Sequence, residues 1–264
     1  MPTVRLDLEY DGTDFRGWQV QPGTRTVQGC LEAALQDIVG ETVRLIGAGR
    51  TDSGVHALGQ VASFRADTVP PEPQFLRRLN IGTPVDLRIN NLQLVDDDFS
   101  ARHSAHARRY RYQMLRQRSA LWTRYYHVLH SPVDVERMNE AARLLLGEQD
   151  FAAFEHVKRD AKRDANSRCL VSRAVVQGDE SRVWFEITAN RFLHNMVRRL
   201  TGALVEVGRG RLNPGDLRKI LRTCDRHRGG PNLPPQGLFF VDVDYGPVAM
   251  QPGRPDVDVP LMKP

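Results

Sequence analysis

The chain has 264 residues, 41% hydrophobic and 26% charged, enough apolar material for one large domain or two modest ones and too much for a disordered tail. No apolar run approaches the roughly 20 residues needed to cross a bilayer. The opening MPTVRLDLEY enters an alternating strand pattern in place of a basic-then-apolar secretory signal, so a cytoplasmic protein without a membrane partner is expected. Net charge is +5, and all but four of the 37 lysine and arginine residues are arginine. This favours a polyanionic partner, because the planar guanidinium pairs with phosphate and stacks on bases; a genome-wide preference for arginine codons gives the same skew. Three scattered cysteines and eight histidines without HxxxH or HExxH spacing give no disulfide framework and no metal motif.

In chain order, Val4 to Tyr10 alternates as a strand, and Val27 to Ile38 carries apolar residues at helical spacing. Strands are predicted at Val43 to Ile46, Gln60 to Ala66 and Leu87 to Leu94, with a short helix at Pro73 to Asn80. A second series begins with a strand at Arg109 to Leu115. A helix is predicted to start at Ser131-Pro132, with Met138, Ala141, Ala142 and Leu145 on its apolar face. Strands at Cys169 to Val176 and Val183 to Thr188, a helix over Phe192 to Val207, another from Asn213-Pro214, and a closing strand at Gly237 to Tyr245 complete it. Each half reads β-α-β-β-α-β, which predicts an α+β fold of two ferredoxin-like units with antiparallel sheets. Boundaries are expected at residues 1–104 and 105–246. Residues 247–264, with five prolines and no periodicity, read as a tail.

Four stretches carry candidate chemistry. In GRTDSGVHALGQVASF, residues 49–64, Asp52 sits on a glycine-flanked bend beside Arg50 and His56; position alone leaves it a turn aspartate or a reactive carboxylate. YDGTDFRGWQVQPGTRTVQG, residues 10–29, holds Arg16, Gln19, Arg25 and four glycines. The sixteen residues between its strand and its helix far exceed an ordinary connection, so it is read as a binding loop, or else a lid or brace. AHARRYRYQML, residues 105–115, places Arg109 and Arg111 on one strand face and Tyr110 and Tyr112 on the other, either an RNA surface or an ordinary amphipathic strand. In NRFLHNMVRRLTGALVEVG, residues 190–208, an apolar stripe is accompanied by Arg198 and Arg199. An arginine pressed toward a core calls for a carboxylate, and Asp52 is the natural candidate.

Taken together these stretches, with FSARHSAHARRYRY and GGPNLPPQGLFFVDVDY, resemble the tRNA pseudouridine synthase A family in order and over residues 4 to 245. Two departures stand out: Ser53 where the family often has alanine, and Asn232-Leu233 where Thr-Ala is more usual. The resemblance implies the pseudouridine synthase fold, with an active-site cleft between the two subdomains. It implies isomerisation of uridine in the anticodon stem-loop of tRNA, no cofactor and no metal. It also implies a homodimer, with one tRNA contacting both subunits. Asp52 would be the nucleophile, attacking ribose C1′ or uracil C6, and Arg198 would keep it ionised. Tyr110 would stack on the flipped base and remove a proton during rearrangement. Arg50, His56, Arg16, Gln19, Arg109 and Arg111 would contact RNA. A non-catalytic RNA-binding or RNA-folding protein is the competing expectation.

Overall fold

The computed structural model describes residues 1–156 and 166–246, so the expected tail at 247–264 lies outside the described residues. The first half runs β1 (Thr3–Tyr10), α1 (Val27–Val39), β2 (Ile46–Gly47), β3 (His56–Arg65), α2 (Glu72–Gly82) and β4 (Leu87–Val95). The second runs β5 (Ala107–Leu115), β6 (His127–Val128), α3 (Val135–Arg143), β7 (Gly147–Asp150) and β8 (Arg168–Gly178). It continues through β9 (Arg182–Ala189), α4 (Met196–Gly208), α5 (Pro214–Thr223) and β10 (Leu238–Asp244). The class is α+β, as the element pattern predicts.

The described residues divide into two compact units, Met1–Arg108 together with Phe239–Gly246, and Arg109–Leu238. The closing strand, expected in the second subdomain, thus returns to the first. The cause is its pairing: Phe239 and Phe240 of β10 run parallel to His56 and Ala57 of β3, and Tyr245 donates its hydroxyl to the Ala101 carbonyl at 2.7 Å.

In the first unit β1 is central, antiparallel to β3 on one edge and β4 on the other. The other edge of β3 is shared, β2 pairing at Ala62 and Ser63 and β10 at His56 and Ala57. One face of β1 presents Val4, Leu6 and Leu8, all fully buried. Helix α1 adds Val27, Leu31, Ala34 and Leu35 to the core, and α2 adds Phe75 and Leu79. The opposite face is buried but polar: Arg5 donates to Asp7 at 3.0 Å, with its guanidinium 4.9 Å from the Tyr245 ring. Thr26 caps α1 by accepting from the Gly29 amide, and Gly40 ends it in the left-handed region at φ 77°.

Two first-unit boundaries move. Strand β3 begins at His56, four residues before the expected Gln60, and the pairing of β1 with β3 shifts register between Leu8 and Tyr10. The extra residue of this irregularity lies on the β3 side. The strand expected from Val43 shrinks to Ile46–Gly47.

The second unit has strand order β5-β9-β8-β7, with β6 parallel to β5. Helix α3 starts at Val135, capped by Asp134, whose side chain accepts from the Arg137 amide at 3.1 Å. The cap is therefore Asp134 in place of the expected Ser131-Pro132. The face predicted for α3, Met138, Ala141, Ala142 and Leu145, is fully buried. Helix α4 starts at Met196 and not at Phe192, because Asn195 adopts a left-handed φ of 60° and interrupts the helical path. Its stripe of Met196, Leu200, Ala203, Leu204 and Val207 is fully buried. Strands β6 and β7 carry no period that predicts them.

Candidate active site

Asp52 stands, half-buried, at the first position of a tight turn. The Val55 amide donates to its carbonyl at 3.1 Å, and Gly54 supplies the left-handed residue at φ 79°. The turn is held from both sides by the long loop between β1 and α1. Before Asp52, the Thr51 carbonyl accepts from the Trp18 amide at 3.0 Å, and the Thr51 hydroxyl bonds the Tyr10 hydroxyl at 2.8 Å. After Asp52, the Phe15 carbonyl accepts from the Gly54 amide and from the Ser53 hydroxyl, each at 3.3 Å. Ser53, the departure from alanine, therefore adds a tie to the same loop.

Glycines make this approach possible. A Cβ on Gly12 would lie 2.0 Å from the Val55 carbonyl oxygen, and one on Gly17 2.7 Å from that of Thr51. Phe15 and Trp18 are buried at 1% and 2% exposure, so the loop is a packed brace. Burial pushes the Tyr10 phenol up to about 12, which keeps it a neutral partner of Thr51 through the physiological range. Upstream, Gln60 donates to the Gly49 carbonyl at 2.8 Å and Arg108 to that of Ala48 at 3.2 Å.

The other expected residues of this unit divide by exposure. Arg50 and Arg16 are exposed, and Gln19 is half-buried with its amide donating to Gln28 at 2.7 Å. His56 is only 2% exposed. Its Nδ1 lies 3.0 Å from the Gly12 amide and 3.1 Å from Asp11, and its ring stacks on Phe239 at 4.7 Å. An imidazole so enclosed fastens Gly12 to β3.

In the second unit β5 alternates as predicted, Arg109 and Arg111 on one face and Tyr110 and Tyr112 on the other, but both faces are covered. Tyr110 is buried at 8% exposure with its ring 4.9 Å from Phe192, edge to face. Phe192 packs there because it precedes α4. Tyr112 is fully buried and donates to the Pro234 carbonyl at 2.7 Å; burial raises its hydroxyl far above the usual tyrosine value. Arg109 is half-buried. Arg111, expected on an RNA surface, is 7% exposed and bonds Glu186 of β9 through Nε at 2.8 Å; that buried partner holds it inward.

Arg198 is half-buried and aimed by two acceptors, the Leu233 carbonyl at 2.6 Å and the Asn195 side-chain oxygen, also at 2.6 Å. The left-handed Asn195 thus both breaks the helical path and orients Arg198. Leu233 reaches α4 because the glycine-proline segment packs tightly: a Cβ on Gly202 would be 2.1 Å from the Pro231 carbonyl oxygen. Arg199 donates to the carbonyls of Glu155 and Arg226 at 3.1 and 2.7 Å, and burial, with Arg226 nearby, lowers its pKa.

Sequence reasoning missed Tyr10, Phe15, Trp18, Thr51 and Asn195 as site supports. The one available signal was the density of glycine in the 10–29 loop.

The sequence profile of tRNA pseudouridine synthases matches residues 8–104 and 141–246, and so takes in the Asp52 bend, α4 and β10. The chain belongs to the tRNA pseudouridine synthase family. Among its relatives, a protein of Acetivibrio thermocellus named tRNA pseudouridine synthase A is 42% identical over 93% of this chain and 100% of its own length. Proteins of the same name from Dechloromonas aromatica and Myxococcus xanthus are 42% and 41% identical, covering 92% and 96% of this chain and 93% and 96% of theirs. A tRNA pseudouridine synthase is an isomerase, and this chain is an enzyme of that class. No helix among the described residues is long and apolar enough to cross a membrane.

Proposed function

We propose that this enzyme isomerises uridine to pseudouridine in the anticodon stem-loop of tRNA, with Asp52 as nucleophile. The N1–C1′ bond breaks, the base turns, a C5–C1′ bond forms, C5 loses its proton and N1 gains one. The conversion involves no net oxidation or reduction. Its central requirement is a carboxylate on a rigid support beside positive charge. The observation that carries the reading is the Asp52 turn, held by the Thr51 contacts on one side and the Phe15 carbonyl on the other, with Arg50 exposed next to it.

Arg198 is assigned as the cation that keeps Asp52 ionised, since a close opposite charge favours the carboxylate. Tyr110 is assigned as the ring on which the extruded base stacks and as the acceptor of the C5 proton. Arg50, Arg16, Gln19 and Arg109 are assigned to the tRNA backbone. His56 and Arg111, whose polar groups are enclosed, are assigned to the scaffold. A homodimer acting in the cytoplasm completes the reading, supported by family membership.

Pseudouridine mapping on an unmodified tRNA transcript tests it. The wild-type chain should modify uridines of the anticodon stem-loop, and Asp52→Asn should modify none. Modification confined to another arm would overturn the substrate, and modification by Asp52→Asn would overturn the nucleophile.

A further inference from the structure

We propose that Arg25 is a positioning residue for the reaction, a strut that fixes the Asp52 turn through Phe15. The proposal rests on the reading of Asp52 as nucleophile. Arg25 lies in the long loop, just before the Thr26 cap of α1, and charge alone would assign it to RNA. The geometry assigns it differently. Both terminal nitrogens of its guanidinium donate to Asp86, at 2.9 and 2.5 Å. This fork holds the plane of the group, and its carbon sits 4.0 Å from the centroid of the Phe15 ring, within cation–π range. Asp86 raises the guanidinium pKa further through the same hydrogen bonds.

Phe15 is the part that transmits. Its ring is buried, with its outer side against Arg25 and an edge contact to Tyr10 at 6.3 Å. Its carbonyl accepts from Ser53 and Gly54, the two residues after Asp52. Tyr10 in turn bonds Thr51, the residue before it. Phe15 therefore communicates with both neighbours of the carboxylate. The backbone closes the same unit: the Arg25 carbonyl accepts from the Arg16 amide at 2.8 Å, and the Asp86 carbonyl from the Asp11 amide at 3.0 Å. Without the fork, the guanidinium stacked on the outer side of the Phe15 ring is no longer held in plane.

Arg25→Ala should lower kcat by roughly 10-fold to 100-fold, the cost of a displacement of about an ångström at a reacting group, with KM changed less than about 2-fold. Arg25→Lys, which keeps the charge but loses the planar fork, should recover only part of this. Asp86→Asn, which weakens the fork and leaves Arg25 in place, should act in the same direction as Arg25→Ala. Hydrogen exchange at the Gly54 amide gives a readout without turnover, and should quicken in both Arg25→Ala and Asp86→Asn.

An Arg25 that contacted RNA would instead raise KM when removed and bind no worse when Asp86→Asn released it. That pattern, or unchanged exchange at Gly54, overturns the proposal. Faster exchange with unchanged kcat also overturns it. If instead Asp52→Asn is still active, the nucleophile reading fails and the proposal falls with it; with Asp52→Asn inactive, the failure is the strut's own.

Discussion

The two units fix their candidate residues by different means. In the first, the Asp52 turn is bound mostly through main-chain groups, with glycines allowing backbone to approach backbone, and Arg16 and Arg50 are left exposed. In the second, arginines themselves are the ties. Arg198 is bound to Leu233 and Asn195, Arg199 to two carbonyls, Arg226 to Ala152 and Glu155, and Arg111 to Glu186. A guanidinium has five donors and no acceptor, so it can satisfy several buried carbonyls at once. Arginine number therefore overstates the positive surface offered to RNA, because arginines bound in this way hold the fold.

That contrast can be broken at three points. The largest effect is expected in the second unit, where Arg111→Ala leaves Glu186 buried, with the longer contact to Arg173 its one remaining ion pair among the described residues. It should cost roughly 3 kcal/mol of stability in denaturant unfolding, yet leave the salt dependence of tRNA binding unchanged. A reduced salt slope would return Arg111 to the RNA surface. Next comes Gly12→Ala in the first unit, where the added Cβ must push Val55 away. Single-turnover rates should fall by about 10²-fold, with tRNA affinity retained. Near-normal rates would mean that the brace does not set the turn. The smallest effect is expected of Arg50→Ala, which should weaken tRNA binding and lower the salt slope by about 1 without a change in melting temperature. Lost stability with an unaltered slope would make Arg50 a structural tie like those of the second unit.

Much of the architecture is legible in the sequence because it is local. Alternation gives β1, helical spacing gives α1, and the buried face of α3 follows from four apolar positions. What escaped depends on contacts distant in the chain. Strand β10 belongs to the first unit because Phe239 pairs with His56, a separation that no periodicity encodes. Helix α4 begins late because a single asparagine takes a left-handed conformation in an otherwise apolar helical pattern. The site divides similarly. The bend that carries Asp52 is legible from its glycines, whereas the choice of Asp52, and of Arg198 over Arg199, comes from the family resemblance. The Phe15 carbonyl is not legible, since a main-chain acceptor leaves no mark in side-chain chemistry. Arg111 is misread because strand alternation fixes which face a residue takes but not what covers that face.

The measurement closest to the central claim is single-turnover release of tritium from tRNA labelled at uridine C5, compared between the wild-type chain and Asp52→Asn, with tRNA binding recorded on the same preparations. Asp52→Asn should bind tRNA within about 3-fold of wild type and lose tritium release by roughly 10³-fold or more. Release at a rate near wild type, with binding intact, would contradict that claim.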